Sequence, residues 1–77
     1  MLVALYFPMF RANFNTKTLR ASIHAAGCRR VSGQRKGEVH WDVACAQTAQ
    51  QAAQIIYSDQ DFEIRGLEFP KICECCK

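Results

Sequence analysis

Acidic side chains are absent from the first 37 of the 77 residues, while seven basic ones are present there: Arg11, Lys17, Arg20, Arg29, Arg30, Arg35 and Lys36. From Glu38 onward seven acids face only Arg65, Lys71 and Lys77, so the two parts carry formal charges of +7 and −4 within a net +3. Such a split directs a surface toward a negatively charged partner without deciding the fold. Long hydrophobic runs are also missing. The longest, Met1–Phe10, contains Pro8 and is about half of the roughly 20 residues that a membrane span requires. It lacks the basic flank and small-residue cleavage site of a secretory signal, so the expected location is the cytoplasm.

Catalytic equipment is sparse. The only histidines are His24 and His40, and neither has a nucleophile at a recognisable spacing. No glycine-rich loop precedes a helix to cradle phosphate, since Gly33 and Gly37 flank a turn. Asp59 and Asp61 straddle a break where backbone capping is their ordinary role. An enzyme is not expected.

Cysteine, by contrast, is abundant: Cys28, Cys45, Cys73, Cys75 and Cys76. An odd count argues against a fully paired disulfide framework and leaves reduced thiols, a metal site or one leftover thiol. All five are candidate zinc ligands, because thiolates that converge from separate segments suit a tetrahedral ion. Cys73-Glu74-Cys75-Cys76 lacks the two-residue knuckle spacing of zinc motifs, however, and buried cysteine also packs as a small hydrophobe. Zinc, a disulfide formed on oxidation, and simple packing therefore stay open, and no other cofactor is expected.

The element order follows from periodicity. Leu2–Phe7 reads as a buried strand ended by Pro8. Asn15 can cap a helix with apolar positions at Leu19, Ser22, Ile23 and Ala26, closed by Gly27. Arg29–Gln34 is a weaker strand. Glu38–Cys45 is a clear one, with Val39, Trp41, Val43 and Cys45 on one face. Thr48 and Gln51 form a capping box for a second helix with Ala49, Ala52, Ala53 and Ile56 inward, broken at Asp59-Gln60-Asp61. Phe62–Phe69 reads as a last strand with a bulge at Gly66. Strand, helix, strand, strand, helix, strand is the order of the ferredoxin-like α+β sandwich, with two helices on one face of a four-stranded antiparallel sheet. The expectation is one such domain over residues 1–77, with a cysteine-rich tail at 71–77.

In size and element order the chain resembles small ferredoxin-like inhibitor proteins of phages and mobile elements, anti-CRISPR proteins among them. That resemblance implies a non-enzymatic module that occupies a functional surface of a host nucleoprotein complex, as a monomer or homodimer. Arg11, Lys17, Arg20, Arg29, Arg30, Arg35 and Lys36 would then meet an acidic partner face. The alternatives are direct nucleic-acid binding by the same residues and a cysteine-based zinc or redox module. Base reading of the RRM type is disfavoured, because the open face of the third strand would show Glu38, His40 and Asp42 in place of stacking aromatics.

Overall fold

The computed structural model describes residues 9–31, 33 and 35–76, Cys76 by its backbone alone. The strand expected at Leu2–Phe7 lies outside the described residues. Among those described, four strands and one α-helix occur: β1 (Phe10–Asn15), β2 (Arg20–Ala25), β3 (Glu38–Val43), α1 (Ala49–Asp59) and β4 (Lys71–Ile72), with 3-10 turns at Arg29–Val31 and Glu74–Cys76. The sheet order is β3-β1-β2-β4. β1 is antiparallel to both β2 and β3, whereas β4 runs parallel to β2. The ferredoxin-like expectation of two helices on a wholly antiparallel sheet is therefore corrected to one helix on a mixed sheet.

The main departure is at residues 10–27. Phe10, Ala12 and Phe14 are buried and alternate with half-buried Arg11, Asn13 and Asn15, which is the period of a half-buried strand. Asn15 does cap, as its sequence context predicts: its Oδ1 accepts from the backbone N–H groups of Lys17 and Thr18. Only one turn of helix follows. Leu19 donates its N–H to the Asn15 carbonyl at 2.8 Å and adopts φ 60°, a left-handed conformation that stops helical propagation. The chain then reverses into β2, where Ala21 and Ile23 face the core opposite Phe14 and Ala12. Ile23 satisfies both a helical and a strand period, and pairing with β1 decides between them.

Two further expectations are overturned. The strand expected at Arg29–Gln34 is a 3-10 turn at Arg29–Val31, anchored by fully buried Val31. The strand expected at Phe62–Phe69 is a run of turns: Phe62 donates to the Tyr57 carbonyl, Arg65 to Asp61, and Leu67 to Phe62. Gly66 carries φ +71° there. Phe62 is completely buried, whereas Ile64 is 85% exposed, so one aromatic anchors the segment in place of an alternating face.

α1 forms where the capping signal predicts it and ends at Asp59. Thr48 Oγ1 accepts from the Gln51 N–H at 3.1 Å, and Gln51 Oε1 accepts from the Gln47 N–H at 2.8 Å. Ala49, Ala52, Ala53 and Ile56 pack on Phe10, Ala12, Phe14 and Ile23, and small residues let the helix lie close to the sheet. Phe62 fills the remaining space, with ring centroids 5.9 Å from Phe14 and 6.3 Å from Trp41. The helix thus covers one sheet face. The other carries Arg11, Asn13, Ser22, His24 and His40, as the register requires.

Candidate metal centre

β2 and β4 place the chemistry. Ser22 pairs with Lys71 and Ile23 with Ile72, and Cys73 donates its N–H to the Ile23 carbonyl at 2.9 Å. Ile23 and Ile72 belong to the core side, so His24 and Cys73, one residue further along each strand, emerge on the opposite face. After β2 the backbone turns tightly: Cys28 donates to the Ala25 carbonyl and Val31 to the Cys28 carbonyl. That turn swings Cys28 back over His24. The 3-10 turn after Cys73 does the same for Cys75.

The ligand atoms of His24, Cys28, Cys73 and Cys75 all lie within 4.8 Å of one another, and the His24 Nδ1 to Cys28 Sγ separation is 3.7 Å. Ligands at about 2.3 Å (sulfur) and about 2.0 Å (nitrogen) from a tetrahedral Zn²⁺ stand roughly 3.6–3.8 Å apart, so only a small contraction closes the set. His24 is 4% and Cys73 8% exposed, while Cys28 is half-buried and Cys75 exposed. Two ligands are therefore fixed in the protein, and the outer pair faces the side from which an ion can enter.

The surroundings orient the donors. His24 Nε2 lies 2.7 Å from Ser22 Oγ; with its proton on Nε2 the imidazole donates to the hydroxyl and offers the Nδ1 lone pair to a metal. A hydrogen bond of this kind at the second nitrogen fixes tautomer and ring orientation in metal-ligating histidines. Burial, reinforced by Arg30 and His40 and opposed by Glu38, lowers the His24 pKa below its ordinary value, which keeps the ring neutral. For Cys73, the backbone N–H of Cys75 is the largest influence lowering the thiol pKa. Burial opposes it, while the Cys75 and Cys28 side chains and Arg30 add to it. The Arg30 guanidinium sits 3.9 Å from Cys73 Sγ. At Cys28 the backbone N–H of Arg30 lowers the pKa, but hydrogen bonding with Cys75, burial and the neighbouring thiols together leave it raised. The Cys73 thiol is thus more acidic than an ordinary cysteine and the Cys28 thiol less so.

Of the cysteines proposed from sequence, Cys28, Cys73 and Cys75 converge. Cys45 does not, because β3 stops at Val43 and leaves it exposed. The Cys76 side chain lies outside the described atoms. None of Cys28, Cys45, Cys73 and Cys75 is in a disulfide. His24 was missed by sequence reasoning, which left it inside the helix expected from Asn15 to Gly27 and gave it no ligand role. The available signal was its four-residue spacing from Cys28, together with the Cys-x-Cys pair at 73 and 75. His40 is on β3, two strands from β2, and is not among the clustered ligand atoms.

The basic residues separate into two groups. Arg11 lies on β1, donating from Nε to Asp42 at 2.7 Å and from Nη1 to the Val31 carbonyl at 3.0 Å. Arg29 and Arg30 follow Cys28 at the metal end. Lys17, Arg20, Arg35 and Lys36 occupy the opposite end, where Thr16 donates its N–H and hydroxyl to the Gly37 carbonyl. Among the described residues no helix is long and apolar enough to cross a membrane. Comparison with protein families, curated proteins and solved structures finds no match to this chain.

Proposed function

We propose that this chain is a small zinc-binding module in which His24, Cys28, Cys73 and Cys75 hold one structural Zn²⁺. The observation that carries the reading is the convergence of three sulfurs and one imidazole nitrogen within 4.8 Å, from segments 45 positions apart. Three thiolates with one imidazole form a donor set that selects zinc among common divalent ions. Four protein ligands close the tetrahedron and leave no position for substrate, so the ion serves structure. It fastens the tail carrying β4 to the end of β2, where a two-residue strand has little ladder of its own. The module then acts by presenting surface to a partner.

The test is metal content. Protein purified under reducing conditions with zinc supplied, then dialysed, should carry one zinc per chain by plasma mass spectrometry. His24→Ala and Cys73→Ser should lose it, and Cys45→Ser should keep it. Zinc below one ion in ten chains in the unaltered protein, or full retention by His24→Ala, contradicts the proposal.

A further inference from the structure

The end of the sheet opposite the metal centre has its own chemistry. Two reverse turns meet there. One joins β1 to β2 and carries Lys17; the other precedes β3 and carries Arg35 and Lys36. They are fastened by Thr16, whose N–H and Oγ1 both donate to the Gly37 carbonyl, at 2.9 and 2.8 Å. The turn before β3 closes through the Glu38 N–H to the Arg35 carbonyl at 3.1 Å. Gly37 takes φ +85°, and the Lys17 stem passes 3.8 Å from where its Cβ would stand. The two turns are therefore one rigid platform.

Lys17, Arg35 and Lys36 are all exposed, and Arg20, next to this platform, makes only a long 3.8 Å contact with Glu68. The local acid, Glu38, is half-buried and accepts from the Asn13 side chain. Positive charge here is not offset by a neighbouring exposed carboxylate of the same turns. The residues between the cations are Thr16, Thr18 and Gly37, with Leu19 the one exposed large hydrophobic. A protein interface needs a desolvated apolar or aromatic anchor at its centre; among the described residues the two turns offer only Leu19, and Phe69, which follows the Glu68 contact of Arg20, is engaged by the Tyr57 ring 5.2 Å away. Single-stranded nucleic acid is bound largely by stacking on aromatics, and the two turns carry none. Duplex RNA is recognised across successive grooves by an extended surface, whereas this is the tip of one small sheet. Contacts to duplex DNA phosphates require only cations, hydroxyls and backbone amides, which the platform has.

We infer that the Lys17, Arg35 and Lys36 platform docks on the phosphate backbone of duplex DNA, without reading its sequence. This goes beyond the zinc proposal and does not depend on it, since the two sites lie at opposite ends of β2.

The test is fluorescence anisotropy of zinc-supplied, full-length protein on a labelled DNA duplex of arbitrary sequence, with zinc content measured on the same samples. Three phosphate contacts give a log–log salt slope of about −2.7, so affinity should fall about 40-fold between about 50 and 200 mM salt. The triple variant Lys17→Gln/Arg35→Gln/Lys36→Gln should remove nearly all of that slope, and Lys36→Gln alone should reduce its magnitude by about 0.9, roughly a third. Arg65→Gln, on the turns after α1, should leave it unchanged. These side chains are exposed, and each variant should keep the circular dichroism spectrum of the unaltered protein. No salt-dependent binding by the unaltered protein, an equal loss in Arg65→Gln, or tighter binding to an RNA duplex or to polyglutamate overturns the inference. Zinc loss without loss of DNA binding would count against the metal proposal alone.

Discussion

Removing the ion should unfold this domain at a much lower temperature, and the size of the effect follows from the chain path. Cys28 and Cys73 are 45 positions apart, so an ion that joins them acts as a clip closing a loop of that length. The chain-entropy expression for a cross-link gives about 13 cal/mol/K for such a loop, or about 4 kcal/mol at 25 °C. That is the smaller figure; if the ion leaves the unfolded chain, its binding free energy adds to folding stability. Domains of this size unfold with an entropy of about 2.1 cal/mol/K per residue, so about 4 kcal/mol corresponds to roughly 25 °C in midpoint. The assay is thermal denaturation followed by circular dichroism, with excess zinc or with a strong chelator, under a reductant that does not bind metal. Cys75→Ser is the informative variant, because Cys75 is exposed and its replacement costs little packing. It should melt near the chelated protein and ignore chelator. A chelator-induced shift under about 3 °C in the unaltered protein would refute the clip.

Other outcomes follow from the same contacts. Ser22→Ala removes the partner of His24 Nε2 and should weaken zinc binding by about 10- to 100-fold in a competition titration, with the fold retained. Zinc uptake near neutral pH should release protons, up to three per ion, in a weakly buffered titration, because Cys28, Cys73 and Cys75 bind as thiolates while His24, its pKa lowered by burial, contributes none. Phe62→Ala empties a completely buried site between Phe14, Trp41 and Tyr57 and should cost about 3–5 kcal/mol in urea denaturation. Thr48→Ala deletes the cap on the Gln51 N–H and should cost about 1 kcal/mol in the same assay.

What could be read in advance depended on whether local signals were unambiguous. Thr48 and Gln51, with four inward small or branched residues behind them, specify α1 within its own segment. Val39, Trp41 and Val43 likewise specify β3. β1 and β2 were hidden for opposite reasons. In β1 the apolar residues alternate over only six positions beside a longer apolar run that draws the strand assignment to itself. Around β2, Leu19, Ile23 and Ala26 match a helical spacing, and Asn15 supplies a genuine cap. The deciding facts are the left-handed Leu19 and the pairing with Phe14 and Ala12, both of which depend on tertiary structure. Phe62–Phe69 looked like a strand because its apolar residues are β-formers, yet Phe62 alone is fully buried, with Leu67 packed against the core edge and Ile64 exposed.

The site inherited these errors unevenly. The five cysteines were legible as candidate ligands by type alone, and the three that meet do so because the end of β2 lies beside β4 in the sheet. His24 could not be placed until β2 was seen as a strand, since on a helix it would face solvent and on β2 it sits beside Cys73. Cys45 followed the alternation of β3 one step beyond the point where the strand ends.

The most direct test of the central claim is X-ray absorption at the zinc edge on the purified, zinc-loaded protein. The account predicts a four-coordinate shell of three sulfurs at about 2.3 Å and one nitrogen at about 2.0–2.1 Å, unchanged in Cys45→Ser, with this zinc signal lost in Cys73→Ser. A shell dominated by oxygen and nitrogen, or one unchanged in that variant, would contradict it.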